Sequence, residues 1–417
     1  MNDATELTVL AGEIPRDLNG VYLRNTENPI APSIGRYHPF DGDGMLHAIT
    51  FEDGHARYRN RMVPTAGLTA ELDARAPQWA GILESPERSL REGWGARTRM
   101  KDASSTDVVV HRGELVYEWY EQHVRPDRPH LIMSVSKSLT STLLGSLIGD
   151  GLVSVDGRVD EYVPALRGTA WEGATLQHLL DMSAGVQFDE DDYDNPESDG
   201  ILIEQVSGYR PLRRDDLPPD TAAWIRSLPP QGTHGDRFQY RSIITDVLGW
   251  VIEEVTGQRF ADVFSERIWR RIGAEHDADV IVDAKGFPTV EGGMCVTARD
   301  LARVGQLHLQ RGEVRGEQVI PAAWTDHPLH GNDTLRAHMA TTGSEQGHEY
   351  YHDCWWVFDS ARGLYAGHGI NGQHLFIDRA TQTVIAQHST TPFPLDFPLL
   401  AFGTDVVMRV LDNFAGG

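Results

Sequence analysis

Apolar residues recur at helical spacing in several stretches of the chain. The clearest case begins at Ser134 and places its apolar positions three and four residues apart. These positions are Leu139, Leu143, Leu144, Leu147 and Ile148. The same pattern predicts helices over 176–182, 246–256, 297–309 and 399–411, with Gly257 as the C-cap of the second.

Runs of strand character come in pairs that are separated by short turns. The pairs are 37–51 with 55–63, 107–110 with 115–120, and 373–378 with 383–388. Turn residues between such runs predict antiparallel hairpins, as at Asp53-Gly54. The polar stretch 67–106 predicts a connector with short helices at 69–83 and 86–91, and the Asp-, Pro- and Gly-rich stretch 185–220 predicts a long surface loop. The whole pattern favours an α+β fold, in which an antiparallel sheet is flanked by helices beside a helical subdomain at about 140–310.

Composition narrows the class of protein. The chain has 417 residues, of which 40% are hydrophobic and 24% are charged, as in an ordinary soluble globular protein. A net charge of −24 argues against nucleic acid and anionic membrane surfaces as partners. The sequence has no apolar run of membrane-spanning or signal-peptide length, and its two cysteines, Cys295 and Cys354, are too few for a disulfide framework. We therefore expect a cytoplasmic protein that binds a small molecule and no cofactor.

The Ser134 helix carries the main candidate chemistry. Ser134 and Lys137 lie three residues apart, so that they share one face of a helix. A serine hydroxyl becomes a good nucleophile when a neighbouring base takes its proton, and a buried lysine can be that base if its pKa is lowered. The chain has only three lysines (Lys101, Lys137 and Lys285), and arginine, which carries its other positive charges, cannot be deprotonated. The pattern indicates an acylating serine of the Ser-x-x-Lys type, although the same four letters also begin ordinary surface helices.

Two further elements supply what such a serine needs. Tyr240, followed by Ser242, precedes the 246–256 helix and is a candidate proton relay; a tyrosine buried in the core is the alternative. The run 367–370 begins the C-terminal hairpin, where an edge strand could aim the Ile370 N–H at a bound carbonyl. The Ser134 N–H would be the second donor of this oxyanion hole.

In this order and spacing, residues 107–411 resemble the serine β-lactamase, penicillin-binding protein and esterase superfamily. They are more similar to the 6-aminohexanoate-dimer hydrolases, which cleave nylon oligomers. The stretches that carry the likeness are 131–139, 179–182, 238–242, 245–248, 295–305 and 372–378. The resemblance implies a β-lactamase/transpeptidase-like fold, with Ser134 as nucleophile, Lys137 as base and Tyr240 as proton relay. It also suggests a homodimer.

The same likeness implies the substrate contacts. Tyr193 matches a loop tyrosine that hydrogen-bonds the scissile amide, and Glu204 stands where those enzymes place an acid, there Asp, that pairs with the substrate ammonium. Ser242 replaces the asparagine of lactamases, and His368 and Gly369 stand where those enzymes carry Lys-Thr-Gly. Because the lysine of that motif is missing, we expect β-lactams that bear a carboxylate to bind poorly.

Residues 1–66 have a different character. The segments 40–45 (Phe-Asp-Gly-Asp-Gly-Met) and 60–63 (Asn-Arg-Met-Val) closely resemble the N-terminal blade of the carotenoid cleavage oxygenases. The iron-binding histidines of that family come from later blades, so His38 and His47 are not those ligands. We find no continuation of the likeness after residue 66 and expect a β-rich extension without iron, followed by the connector 67–106 and the hydrolase domain 107–417.

These patterns favour a serine hydrolase that cleaves short linear amides or esters through an acyl-enzyme on Ser134. A short-chain carboxylesterase with weak or no β-lactamase activity remains open, as does a catalytically silent binding or sensor protein that keeps the pocket. His348 and His352, four residues apart, could bind a metal on a helix, but the sequence offers no evident third ligand and we expect none.

Overall fold

The computed structural model describes residues 5–9, 12–16, 20–28, 30, 34–35, 43–62, 66–80, 84, 86–90, 106–111, 113–120, 125–190, 195–341, 347–391, 394–395 and 397–415. The strands are β1 (Thr5–Glu6), β2 (Gly20–Asn28), β3 (Asp43–Glu52), β4 (His55–Met62), β5 (Thr106–His111), β6 (Glu114–Trp119), β7 (His130–Leu131), β8 (Asp279–Val280), β9 (Met294–Val296), β10 (Glu313–Val314), β11 (Glu317–Gln318), β12 (Tyr350–His352), β13 (Trp355–Asp359), β14 (Leu364–Gly369), β15 (Gln373–Asp378) and β16 (Thr383–His388).

The α-helices are α1 (Ala66–Ala74), α2 (Val135–Gly149), α3 (Val159–Tyr162), α4 (Leu176–Leu180), α5 (Asp199–Val206), α6 (Thr221–Ser227), α7 (Ile243–Thr256), α8 (Phe260–Phe264), α9 (Ala298–Leu309), α10 (Ala322–Asp326), α11 (Asp333–Thr341) and α12 (Phe397–Ala415). Within the described residues, none of these helices combines the length and the apolar character that a bilayer crossing requires.

The chain divides into two compact units. The first comprises Met1–Val110, Glu114–Arg125 and Asp396–Met408, and the second comprises His111–Gly113, Pro126–Leu395 and Arg409–Gly417. In the first unit, β1 to β4 form an antiparallel sheet in the order β1-β4-β3-β2. The predicted hairpin at 52–54 is confirmed, because Asp53 and Gly54 both have positive φ (47° and 78°), as a two-residue turn with the right-handed twist of its strands requires.

A meander dominates the second unit. The strands β12 to β16 are consecutive in the chain and pair antiparallel in that order. The hairpin predicted over 373–388 matches β15 and β16, whose residues are nearly all buried beneath α9. Gly305 of α9 permits this packing, since a Cβ there would lie 2.5 Å from Cγ1 of Val384.

One sheet prediction is wrong. The stretch 367–370 was expected to start an edge strand, whereas β14 is an interior strand with hydrogen-bonded neighbours on both sides, β13 and β15. The strands β12 and β13, which were not predicted, extend the sheet beyond β14. The aromatic side chains at these positions pack on both faces of the sheet, so the run lacks a simple alternation of apolar and polar residues.

The predicted helices at 135–148, 176–182, 246–256, 297–309 and 399–411 are confirmed, whereas the connector helices are shorter than predicted, since α1 ends at Ala74 and 86–88 is a single 3-10 turn. α2 packs against α7 and β14 and is buried from Val135 to Leu147, and α7 ends at Gly257, which has φ 66° as a C-cap glycine should. The surface loop expected over 185–220 is interrupted by α5, because Leu202 and Ile203 form a short apolar face within an acidic stretch. The Asp, Pro and Gly content of 185–220 did not indicate this helix.

Candidate active site

Ser134 lies at the junction of a short strand and the buried helix α2. The chain leaves β7, which pairs with β9, and makes a tight turn in which Met133 has φ 48°. Ser134 is then the N-cap of α2, and its neighbour Ile132 is fully buried and anchors the turn. The partly exposed hydroxyl of Ser134 therefore stands at the positive end of a helix, which favours a developing negative charge.

Lys137 lies in the first turn of α2 and is 1% exposed. Its Nζ donates hydrogen bonds to the Oγ of Ser134 at 2.8 Å, to the Oγ of Ser242 at 3.1 Å and to the carbonyl oxygen of Glu291 at 2.7 Å. An ammonium has three N–H donors, so each of these three partners can accept one of them. The structure thus brings Ser134, Lys137 and Ser242 together.

Tyr240 completes this group. The Nζ of Lys137 lies 5.1 Å from the centre of the Tyr240 ring, and the ring stacks on Trp356 with 5.6 Å between centroids. Burial raises the pKa of Tyr240, while the positive charge of Lys137 and a hydrogen bond with Ser134 act against that rise. Tyr240 is therefore a phenol next to a cation, in contact with the candidate nucleophile.

Two carboxylates that the sequence pattern does not predict lie near Lys137. Glu190 accepts hydrogen bonds from the main-chain N–H of Ser242 at 2.9 Å and from its hydroxyl at 3.2 Å. The carboxylate of Glu291 lies 3.4 Å from the Nζ of Lys137. Burial raises the pKa of Glu190 to about 7, although Lys137 and the bonds from Ser242 oppose the rise. Glu190, Ser242, Lys137 and Ser134 therefore form one continuous hydrogen-bonded chain.

These carboxylates reverse one expectation. Burial alone predicts that the pKa of Lys137 is lowered towards neutrality. Burial does act in that direction, but the combined effect of Tyr240, Glu291 and Glu190 is larger and raises the pKa of Lys137 above its ordinary value. Lys137 is therefore an ammonium at neutral pH, in agreement with its three donated hydrogen bonds.

Asp246 fixes the segment that carries Glu291. Its Oδ1 accepts hydrogen bonds from the main-chain N–H groups of Val290 at 2.8 Å and Glu291 at 3.0 Å. Burial raises the pKa of this carboxyl well above its usual range. Because Asp246 lies on α7, the carbonyl of Glu291 that holds Lys137 is tied directly to the helical core.

The end of β14 meets the Ser134 turn. A Cβ on Gly369 would lie 2.6 Å from the carbonyl oxygen of Ile132 and 3.0 Å from the main-chain nitrogen of Ser134. Only glycine allows this approach, because both obstructing atoms belong to the backbone. Ile370 follows directly, so the two segments that carry the predicted oxyanion donors, Ser134 and Ile370, are adjacent.

His368, which was predicted to contact the substrate, has its described contacts away from the catalytic group. The Nδ1 of His368 lies 2.6 Å from the Nδ1 of His374, and its ring packs edge-on against Phe358 and Phe376. Burial holds the pKa of His368 well below its ordinary value, so this imidazole is neutral. Its described contacts are with this aromatic shell and not with Ser134.

Glu204 has a partner within the protein. It lies on α5, and its carboxylate forms a hydrogen-bonded ion pair with the Nε of Arg210. A cationic substrate group would have to share Glu204 with Arg210. Tyr193 lies outside the described residues, and its proposed contact with the scissile amide stays a prediction.

The structure does not bring His348 and His352 together. A spacing of four residues would place them on one face of a helix, but His352 belongs to the strand β12. His348 packs against Trp356 and Phe358, while the Nδ1 of His352 lies 2.7 Å from the Oδ1 of Asp181.

No sequence pattern singles out Glu190, Glu291 or Asp246 as site residues. Glu190 belongs to an acidic run, 189–194, in which nothing distinguishes one acid from another. Glu291 precedes the turn glycines Gly292 and Gly293, and Asp246 is an ordinary first-turn acid of α7. Each is brought to the site by contacts between residues far apart in the chain.

Comparison with known proteins identifies relatives for most of the chain. The Beta-lactamase family profile matches residues 105–403. The 6-aminohexanoate-dimer hydrolase of Paenarthrobacter ureafaciens is 37% identical over 336 residues, which are 80% of this chain and 84% of that enzyme. A solved structure from Bacillus anthracis, described as a candidate 6-aminohexanoate-dimer hydrolase, superposes with a TM-score of 0.68 at 25% identity and covers 94% of this chain and 91% of that one.

A second family matches the N-terminal part. The profile of the family named Retinal pigment epithelial membrane protein covers residues 1–126. A carotenoid cleavage oxygenase of Mycobacterium tuberculosis is 46% identical over 117 residues, 28% of this chain. The chain spans only 22% of the length of that relative. The prediction that this likeness ends at residue 66 is therefore wrong, because the profile match continues to residue 126.

Proposed function

Since this chain belongs to the beta-lactamase family and is a serine hydrolase, we propose that it hydrolyses short linear amides through an acyl-enzyme on Ser134. The observation that carries the proposal is the 2.8 Å hydrogen bond between the Nζ of Lys137 and the Oγ of Ser134, with Tyr240 beside both. A hydroxyl in contact with a cation and a phenol has both a route for its proton and a charge that stabilises the alkoxide. The 37% identity to a 6-aminohexanoate-dimer hydrolase supports the substrate class.

In this proposal Tyr240 and Lys137 act as one titrating pair. The active form has one proton less than the fully protonated pair. We assign the missing proton to Tyr240, because the pKa of Lys137 is raised and its charge opposes the rise that burial causes in the pKa of Tyr240. Tyr240 then takes the proton of Ser134 as the Oγ–carbonyl bond forms. Lys137 stays charged and stabilises both oxygens. This assigns to Tyr240 the base role that the resemblance gave to Lys137.

The remaining steps use the same groups. The main-chain N–H groups of Ser134 and Ile370 stabilise the tetrahedral oxyanion. Tyr240 returns the proton to the leaving amine as the C–N bond breaks. A water molecule then attacks the acyl ester, gives its proton to the pair, and the pair restores the hydroxyl of Ser134 as the carboxylic acid leaves.

The substrate side of the proposal comes from the relatives. We assign Tyr193 to the scissile amide and Glu204 to a substrate ammonium, with Arg210 as its present partner. We place Ser242 within the catalytic hydrogen-bond chain and His368 and Gly369 in the wall behind the carbonyl site. A homodimer is supported by the family likeness, and a cytoplasmic location by two cysteines that are both free thiols.

For the N-terminal part, we propose a β-rich extension without oxygenase chemistry. The matched piece is about a fifth of the carotenoid cleavage oxygenase it resembles. Iron analysis and the absorbance spectrum of the purified protein test this, and stoichiometric iron or bound pigment would overturn it.

A fluorophosphonate probe tests the nucleophile. We expect it to label the intact protein at Ser134, and we expect Ser134→Ala to lose both the label and the hydrolysis of a linear aminohexanoate dimer by about 10⁴-fold or more. Ser146→Ala, farther along the same helix, is the control and should keep both. A folded protein that takes no label and cleaves neither amides nor p-nitrophenyl esters would be a binding or sensor protein.

A second variant separates amidase from esterase. Removal of a hydroxyl that assists an amine leaving group slows amide cleavage more than ester cleavage, because an ester has the better leaving group. Tyr193→Phe should therefore lower kcat/KM for the amide by a larger factor than for a p-nitrophenyl ester. Equal factors would favour the carboxylesterase.

A further inference from the structure

A cluster of metal-binding side chains lies outside the catalytic group. His327, His352 and Asp353 each offer one donor atom, and these atoms lie within 4.8 Å of one another. The Nδ1 of His327 is 2.6 Å from the Oδ2 of Asp353, and the Nε2 of His352 is 3.6 Å from the same oxygen. Donors bound tetrahedrally to one zinc ion at 2.0–2.1 Å are about 3.3 Å apart, so the observed separations bracket the required value.

The proposed ligands form hydrogen bonds with neighbouring residues of the kind that usually orients the ligands of a metal site. The second ring nitrogen of His352, Nδ1, lies 2.7 Å from the Oδ1 of Asp181. Gln177 donates through Nε2 to Asp353 at 3.0 Å and to Asp181 at 2.9 Å. A carboxylate on the far side of a histidine ring fixes its tautomer and makes the opposite nitrogen a better ligand. Here that opposite nitrogen is Nε2, which faces Asp353.

The backbone at the cluster is strained in a way that this role would explain. Asp353 and Cys354 form the two-residue turn between β12 and β13, and both have positive φ (53° and 63°). Such turns favour Asn-Gly, because a side chain at the second position costs free energy there. The strained turn holds the carboxylate of Asp353, which is fully buried, against the two histidines.

From this arrangement we propose that His327, His352 and Asp353 bind one divalent transition-metal ion of the zinc type. Two imidazole nitrogens and one carboxylate oxygen are a donor set that Zn²⁺ accepts, with a water molecule as the fourth ligand. The side chain of His327 is 34% exposed, which leaves a path to solvent on that side, while His352 and Asp353 close the site from within.

The proposed ion would stabilise the junction between α2 and α4 in the hydrolase domain. The carbonyl of Cys354 accepts a hydrogen bond from Ser138, next to Lys137, and the N–H of Cys354 donates to Leu180 at the end of α4. The strained turn thus joins α2 to α4, and an ion on Asp353 would hold that junction. The site is therefore structural, and its existence does not depend on which substrate Ser134 attacks.

Without a metal, the same residues would form a proton-linked network. Burial disfavours the charged form of His352, but the carboxylates of Asp353 and Asp181 outweigh it and raise the pKa of His352 to about 9. In that state a proton stands on the nitrogen that would bind the ion. Direct metal binding separates the two cases.

The test uses the full chain without an affinity tag, stripped with a chelator and dialysed. We expect one equivalent of Zn²⁺ to bind by calorimetry, and one equivalent of Co²⁺ to give the visible spectrum of a tetrahedral site. His327→Ala removes a partly exposed ligand and should abolish the stoichiometric binding. His330→Ala, an exposed histidine on the same segment, is the control and should bind as the parent does.

A third variant tests the supporting shell. Asp181→Asn should weaken Zn²⁺ binding by about 10- to 100-fold, the range found for partners of metal-bound histidines. Zn²⁺ should also raise the melting temperature of the parent and of His330→Ala, but not of His327→Ala. Absence of a bound equivalent in the parent, or equal binding by His327→Ala, would overturn the proposal, whatever the hydrolase activity of either protein.

Discussion

The carboxylate of Glu291 lies 3.4 Å from the Nζ of Lys137, and the same ammonium donates a hydrogen bond to the main-chain carbonyl of Glu291 at 2.7 Å. One residue therefore holds the lysine in two ways. The carbonyl fixes its position, while the carboxylate, together with Tyr240 and Glu190, keeps it protonated.

Glu291→Gln should shift the pH dependence of catalysis. An opposite charge within about 4 Å stabilises the ammonium, so its removal lowers the pKa of the Tyr240–Lys137 pair. The parent should gain activity as the pH rises above neutrality, and the variant should reach the same fraction of its maximum about one pH unit lower. The measurement is kcat/KM between pH 5 and 10. Glu313→Gln, which removes an exposed carboxylate, should leave the profile in place, and an unmoved profile in Glu291→Gln would contradict the electrostatic account.

Glu190→Gln should change how stability depends on pH. Glu190 has a folded-state pKa of about 7 against 4.5 for the ordinary side chain, so the folded protein binds this proton more strongly than the unfolded chain does. Stability from this group is therefore complete below about pH 4.5, falls as the pH rises, and levels off above 7. The free energy of unfolding of the parent should drop by about 2 kcal/mol or slightly more relative to the variant between pH 5 and 8. Urea denaturation at each pH measures this difference, and parallel curves for the two proteins would refute it.

Gly369→Ala should impair catalysis more than folding. The new methyl group would press on the backbone of Ile132 and Ser134 and displace the nucleophile relative to Ile370. A displacement of about 1 Å can cost about 10²-fold in rate, so we expect kcat/KM to fall by that order. Gly403→Ala is the control, since nothing lies within 4 Å of its added methyl group. Its activity should equal that of the parent.

Arg210→Gln should improve the use of cationic substrates. Arg210 occupies the carboxylate that we assign to a substrate ammonium, and both side chains are partly exposed, so the pair is weak. Release of Glu204 should lower KM for a linear dimer with a free amine by about two- to fivefold. The N-acetylated dimer is the matched control and should be unaffected. Equal changes for both compounds would remove Glu204 from the ammonium site.

The sequence predicted those parts of the fold whose pattern is local. The helices α2, α7 and α9 have buried faces at helical spacing, and β15 and β16 flank a recognisable turn. The strands β12 and β13 could not be predicted, because their aromatic residues are covered on both faces of the sheet, and for the same reason β14 was expected at the sheet edge although it is an interior strand. Their identification required knowledge of what packs against them.

The candidate site likewise contains residues that a local sequence pattern predicts and residues that it does not. Ser134 and Lys137 are three residues apart, and Tyr240 stands in a recognisable context, so their proximity could be predicted. Glu190 and Glu291 follow Lys137 in the chain by 53 and 154 residues, as their residue numbers show. The sign of the pKa shift of Lys137 depends on those two acids, and for that reason the expectation from burial alone was wrong.

The double hold on Lys137 has an evolutionary consequence. Because the anchoring oxygen belongs to the main chain and Asp246 accepts a hydrogen bond from the N–H of residue 291, any residue except proline at this position keeps both groups of the anchor. Mutation at this single codon could therefore adapt the enzyme to acidic or alkaline surroundings without rebuilding the catalytic architecture.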